Sequence, residues 1–413
     1  MITYRKYRLP NGLTVIVNRD RQSKLAAVNL LYRVGARNEH PERTGFAHLF
    51  EHLMFRGTRE VPDFDTPVQM ACGENNAFTT NDYTDFYITL PKDNVETALW
   101  LESDRMEGLA LTPEVLETEK RVVIEEFRQR CLNQPYGDQT QLMRGLAYVR
   151  HPYRWAAIGR TPDHIERAAL DEVLAFYRRY YRPSNAILSL SGDREEERMA
   201  ELCERWFGGL KDGGPVHDEL PEEPEQREAR RLAVERDVPA TTLTIAFPMG
   251  GRLTRDFFLG DLVSDLLAGG DSARLYDRLV RERQLFASVN GYILGSVDAG
   301  LFLLTGQLLP ATTEQAAEEA LWHEAAELCD PANIGDRELE KVKNKFEANT
   351  LFGELNVMNK AMNLGFYEML GDLELINREV GCYRSITAAE AADFCRRTFR
   401  VEKSSTLIYR AKR

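Results

Sequence analysis

The chain has 413 residues, of which 43% are hydrophobic and 29% charged. That is enough apolar material for more than one core, and charge too evenly mixed for a disordered protein. Its net charge of -12 argues against a nucleic-acid backbone partner, which depends on a basic stripe.

The first residues run directly into an alternating apolar pattern with an Asn11-Gly12 turn, without the apolar core and small-residue cleavage site of a leader. No apolar stretch reaches the roughly twenty residues that cross a membrane. Cytoplasmic residence is the expectation, or periplasmic if a leader has been removed. The cysteines at 72, 131, 203, 329, 382 and 395 have neither the paired short spacing of a zinc ribbon nor the density of a disulfide scaffold, so they read as free thiols.

Strand patterns occupy residues 5–19, 25–34, 76–90 and 184–191, then 230–247, 289–308 and 404–410, interleaved with long amphipathic helical patterns. Residues 211–228 are rich in glycine, proline and acid and poor in apolar side chains, which marks a linker. Two domains are expected, 1–210 and 229–413.

The two halves echo each other at a nearly constant offset. Phe176-Tyr-Arg178-Arg179 leads into the apolar run at Ala186, as Phe394-Cys-Arg396-Arg397 leads into Ser405. Ala98-Leu99-Trp100-Leu-Glu102 matches Ala320-Leu321-Trp322-His-Glu324, and Phe50-Glu-His-Leu-Met matches Tyr276-Asp-Arg-Leu-Val. Three matches in register predict a tandem duplication. The fold class is α+β: two similar domains, each a mainly antiparallel sheet packed with helices.

Chemistry concentrates in Gly45-Phe-Ala-His48-Leu-Phe-Glu51-His52-Leu-Met-Phe-Arg-Gly57, a short helix by its apolar positions 46, 49, 50 and 53. Histidines one turn apart share a helix face, so both imidazoles can reach one ion near 2 Å. Glu51 lies close to that face, where a carboxylate can take a proton from a metal-bound water attacking a carbonyl. Catalytic zinc needs a third protein ligand. The helical stretch from Leu116 to Arg128 offers Glu119 and Glu126 two turns apart on one stripe. Glu126 is assigned to the metal, with Glu125 as its rival, and Glu119 to orienting a liganding imidazole through its other nitrogen.

With those residues in place, the chain resembles the inverzincin peptidases of the pitrilysin and mitochondrial-processing-peptidase family, whose signature is His-x-x-Glu-His followed by a distant glutamate. The resemblance covers the whole length and runs through Arg43-Thr-Gly45 to Gly57-Thr, Glu126 and Glu119. It implies one zinc per chain, peptide-bond hydrolysis with Glu51 as general base, and an N-terminal peptidase domain followed by a similar domain without the metal motif. Residues 73–87 resemble the family's edge strand, so Asn76, Ala77, Phe78 and Thr79 are expected to bind an extended peptide as an added strand.

Two such chains closing around a chamber would admit short or unfolded peptides. Family members at work carry an arginine and a tyrosine seven residues apart in the fourth domain of the clamshell, in a stretch resembling residues 272–289, and here Val280 and Ala287 align with them. A partner chain could supply the pair, or Arg281, Arg283 or Tyr292 could substitute within a homodimer, or the alignment is displaced. A homodimer or a heterodimer with a similar chain is therefore expected. The rival to a peptidase is a non-catalytic or weakly active peptide-holding subunit.

Overall fold

Strand formation follows the alternating segments. The computed structural model describes residues 1–58 and 60–412; Arg59 and Arg413, inside the two expected domains, lie outside the described residues. The first sheet contains β1 (Arg5–Arg8), β2 (Thr14–Arg19), β3 (Leu25–Tyr32), β4 (Glu74–Thr79), β5 (Thr84–Pro91) and β6 (Ala186–Gly192). Their order across the sheet is β1-β2-β6-β3-β5-β4. The second contains β7 (Arg230–Arg236), β8 (Thr242–Met249), β9 (Phe286–Leu294), β10 (Gly300–Leu308) and β11 (Ser405–Ala411), in the order β7-β11-β8-β10-β9.

Setting aside β1, the two sheets share one topology. In each, the first strand of the set lies parallel to the last, β2 beside β6 and β7 beside β11, and the remaining neighbours are antiparallel. The third strand in chain order, β4 or β9, is an edge of its sheet. Identical strand order with identical directions is the structural form of the expected duplication.

The chain divides into two compact units, each discontinuous in sequence. The first combines residues 1–129, 155–221 and 351–377; the second combines 130–154, 222–350 and 378–413. Composition at 211–228 marks a stretch that holds no helix or strand, yet segments on both sides of it enter the opposite half's unit.

In the first unit β3 and β6 are buried almost throughout, because both faces of the sheet are covered. On the inner face Val28, Leu30, Tyr32, Phe86, Ile88 and Leu188 pack with Leu49, Phe50 and Leu53 of the helix Phe46–Leu53. Each such side chain contributes about 1.5–3 kcal/mol on full burial. A buried ion pair crosses this core: Arg105 donates to Glu102 at 2.7 and 2.5 Å, and its guanidinium lies 4.2 Å from the centroid of Phe86 and 4.6 Å from that of Phe64.

The outer face is closed by the helix Val357–Leu370, a segment from the other half of the sequence. It approaches closely because its contact positions are small. Ala361 accepts a hydrogen bond from Ser189 Oγ at 2.7 Å through its carbonyl, and a Cβ at Gly365 would meet Ser189 Oγ at 2.9 Å and Asn29 Nδ2 at 3.1 Å. Gly365→Val therefore has to lift the helix or break the Ser189 bond. Overpacking of this kind costs about 1–3 kcal/mol. Thermal unfolding should show a midpoint lower by several degrees, and an unchanged midpoint would refute the close approach.

Candidate metal centre

The helix Phe46–Leu53 starts behind Gly45, whose φ of +91° is open to glycine but strained for other residues. A Cβ at Gly45 would also meet the carbonyl oxygen of Ile158 at 3.1 Å. From this start the buried positions Phe46, Leu49, Phe50 and Leu53 face the core. That register leaves His48, Glu51 and His52 on the neighbouring flank. Phe50 is fixed by ring contacts to Phe176 at 5.3 Å and Tyr181 at 5.1 Å, so the helix cannot rotate about its axis without breaking them.

A second helix, Pro113–Phe127, packs beside it. Thr112 caps it by accepting the Val115 N–H at 3.3 Å, and proline occupies its first turn. Leu116, Val123 and Phe127 are buried, and the stripe next to them carries Glu119 and Glu126. Immediately after Phe127 the backbone widens into a π-helical turn, Arg128–Leu132, an irregularity frequent at functional sites.

The two helices bring His48, His52 and Glu126 together: one ligand atom from each lies within 4.8 Å of the others. Among the described residues this is the single group of three or more metal-capable side chains. Nε2 of His48 and Nε2 of His52 both point at the same oxygen of Glu126, at 3.6 and 3.3 Å. The two imidazoles are nearly perpendicular, with centroids 4.9 Å apart. Two nitrogens and one carboxylate oxygen, separated by more than contact distance and aimed at a common point, is the donor set that suits a tetrahedral zinc with one position left open.

Glu119 lies behind His52. Its Oε2 is 3.8 Å from His52 Nδ1, and its other oxygen is 2.6 Å from Arg56 Nε. Glu119 is only 1% exposed, so it is no ordinary solvated helix glutamate. The rival ligand Glu125 is exposed and pairs with Arg128 at 3.6 Å. Glu51 is half-buried. Burial holds the Tyr181 phenol far above its ordinary value, and the negative charge of Glu51 adds to that rise. Arg56 was not singled out by sequence reasoning. Its position one turn after His52 is the signal that could have found it.

Asn76, Ala77, Phe78 and Thr79 all lie on the edge strand β4, which packs against the histidine helix and, among the described residues, pairs only with β5. Thr80 bonds to Tyr83 across the hairpin. By antiparallel alternation, Asn76 and Phe78 then turn their backbone groups to β5, while Ala77 and Thr79 turn theirs to the open edge. The Ala77 N–H is accepted by Asn76 Oδ1 at 2.8 Å. Val280 falls in the π-helical turn Tyr276–Glu282, and Ala287 is exposed near the start of β9. Arg281 is tied to Asp277 at 2.8 Å.

The loop before the histidine helix is held by a neutral imidazole. His164 Nδ1 accepts the Thr44 N–H at 3.2 Å and lies 2.8 Å from Thr44 Oγ1. Burial lowers the His164 pKa, and the charges of Arg160, Arg43 and Arg167 lower it further. With the folded value below the unfolded value of about 6.5, the unfolded chain binds the extra proton first, so this contribution is present above that value and lost as pH falls through the folded one. His164→Asn keeps an acceptor but cannot titrate. Its melting temperature should fall less than that of the wild type between pH 7 and pH 5, and parallel pH curves would sink the assignment.

Comparison with known proteins places these features in context. A family profile described as "Insulinase (Peptidase family M16)" matches residues 14–141, the stretch containing the metal-capable group, and one described as "Peptidase M16 inactive domain" matches residues 167–346. The zinc protease PqqE of Helicobacter pylori is 31% identical over 344 residues, covering 81% of this chain and 76% of that protein. An uncharacterized zinc protease of Rickettsia bellii is 24% identical, covering 97% of this chain and 96% of its own length. The crystal structure of a protease from Helicobacter pylori superposes with a TM-score of 0.93 at 27% identity, covering 99% of this chain and 100% of that one.

Proposed function

The chain belongs to peptidase family M16, and from that premise we propose that it is a zinc-dependent peptidase in which His48, His52 and Glu126 hold the ion and Glu51 is the general base. The observation that carries the reading is the convergence of both imidazole Nε2 atoms on one Glu126 oxygen, with a buried carboxylate behind His52 Nδ1. A carboxylate in that place fixes the tautomer that leaves Nε2 free to bind a cation. The residues therefore fit one zinc per chain.

When bound, zinc would polarise the scissile carbonyl and make water acidic enough to attack near neutral pH. The chain's own side chains do the rest. Glu51 takes the proton of the attacking water and hands it to the departing amine, a shuttle that needs a carboxylate beside the cation but not bound to it. Glu119, held by Arg56, keeps His52 oriented. The edge of β4 supplies the binding surface: an extended peptide would pair with the outward backbone of Ala77 and Thr79, displacing the Asn76 side chain from the Ala77 N–H. Pairing through main-chain groups favours short or unfolded peptides of varied sequence, with Asn76 and Phe78 on the strand's other face.

With Val280 and Ala287 aligned to the family's arginine and tyrosine, the groups that stabilise the developing oxyanion would come from a partner chain or from Arg281, Arg283 or Tyr292, unless that alignment is displaced. The alignment favours association with a second chain, either another copy or a similar subunit carrying the pair. It also supports a second reading, in which the chain alone is a weakly active peptide holder. No helix among the described residues is long and apolar enough to cross a membrane.

Glu51→Gln should retain zinc by elemental analysis while peptide cleavage falls by roughly 10²–10⁴-fold; near-wild-type turnover would refute the base. Glu126→Ala should lose the metal and Glu125→Ala should keep it, and the reverse result would exchange the two roles. Digestion of a peptide library with and without chelator, on protein of measured solution mass, separates the two readings. Strong chelator-sensitive cleavage by the chain alone would reject the peptide-holder reading.

A further inference from the structure

The histidine helix has eight residues, barely two turns, and a helix this short has no intrinsic persistence in water. Its position is set by what holds its ends. The first four N–H groups of any helix have no partner inside it, and the residue that would ordinarily cap them with a side chain is here Gly45, which has none.

The missing cap comes from Glu39. One carboxylate oxygen accepts the Gly45 N–H at 2.9 Å and the other accepts the Ala47 N–H at 2.9 Å. Glu39 is only 6% exposed, so water does not compete for these bonds. Burial pushes its carboxyl up to about 8, while the donors of Ala47, Gly45, Trp155 and Phe46 pull the other way.

Glu39 is itself anchored to the strand hairpin. It follows the turn Ala36–Asn38, whose backbone donates to the hairpin between β4 and β5: Ala36 N–H to Thr80 at 3.1 Å and Arg37 N–H to Asn81 at 2.8 Å. The Arg37 side chain meets Asp82 at 3.0 Å, and the Trp155 indole donates to the Ala36 carbonyl at 2.9 Å. At Gly35 a Cβ would come within 2.6 Å of the Asn81 backbone. The turn is thus fastened to the same hairpin whose outer strand offers the open edge.

We propose that Glu39 is a positioning residue that locks the helix carrying His48, Glu51 and His52 to the β4–β5 hairpin, and so fixes the metal ligands and the base relative to a peptide lying on β4. The inference rests on the metal reading of the preceding subsection. Without the two bonds from Glu39 the helix start shifts, and His48, one turn in, moves relative to Glu126, which is held on a separate helix. The edge strand keeps its own pairing with β5. Peptide binding should therefore survive where metal binding and turnover do not.

The test uses the full chain carrying Glu39→Ala and Glu39→Gln. Zinc affinity is read by competition with a chromophoric chelator, ligand geometry from the visible spectrum of the cobalt-substituted protein, and kcat and KM with a peptide substrate. Glu39→Ala should weaken zinc binding by about tenfold or more, the range found when a supporting hydrogen bond is removed, shift the cobalt bands, and lower kcat with little change in KM. Glu39→Gln, which keeps one acceptor oxygen in place, should fall between. A Glu39→Ala chain with wild-type zinc affinity and cobalt spectrum, and only a lower melting temperature, overturns the proposal. If Glu39→Ala does not fold, Glu39→Gln decides: wild-type affinity overturns it and a several-fold loss supports it. A wild-type chain that takes up no zinc overturns the metal reading and this inference together, whereas equal binding by wild type and variant overturns this inference alone.

Discussion

Everything at the candidate site depends on one constraint: atoms on two separate helices must stay within 4.8 Å of each other although nothing covalent joins them there. The apolar contacts that satisfy it are ordinary. Leu49, Phe50 and Leu53 on one helix and Leu116 and Val123 on the other enter a single core. What makes the arrangement specific is polar. Glu119 pairs with Arg56 and lies beside His52 Nδ1, and Glu39 fastens the start of the histidine helix. Carboxylates as buried as Glu39 and Glu119 are costly unless paired or hydrogen-bonded, so they tolerate few alternative packings, and a site with little freedom keeps its donors aimed at one point.

Legibility in the sequence followed the range of the interaction. His48, Glu51 and His52 are neighbours on one helix, and local spacing suffices to bring them together. Glu119 and Glu126 share a stripe two turns long, and that periodicity was visible as well. The same stripe favours Glu126 over Glu125, and in the fold the burial of Val123 and Phe127 leaves Glu125 exposed beside Arg128. Glu39 left no trace in any pattern. It lies in an irregular turn, and its partners are backbone N–H groups, which every sequence has.

The same argument covers the fold. Strand segments and the duplication could be read because alternation and internal echoes are sequence properties. The allocation of residues 351–377 to the first unit could not. The helix Val357–Leu370 carries an apolar face with no address on it, and only the small residues Ala361 and Gly365 hint that it meets another backbone closely. Its true partners, Ser189 and Asn29, are polar side chains in strands that the alternation pattern assigns simply to a sheet.

Duplication then explains a difference that neither half shows alone. Glu102 and Glu324 occupy matched positions, and both are buried, at 0% and 2% exposure. A buried carboxylate is costly unless it is paired or hydrogen-bonded, and each of these two is paired with an arginine. In the first unit it is Arg105, three residues along the same helix. In the second it is Arg278, at 2.8 Å, and Arg278 stands at the position matched to His52. An arginine there is charged at every accessible pH and cannot act as a metal ligand. At the position matched to His52 the second copy thus holds the arginine that pairs with a buried acid. In the first copy Arg105 pairs with that acid from within its own helix, and the matched position holds an imidazole.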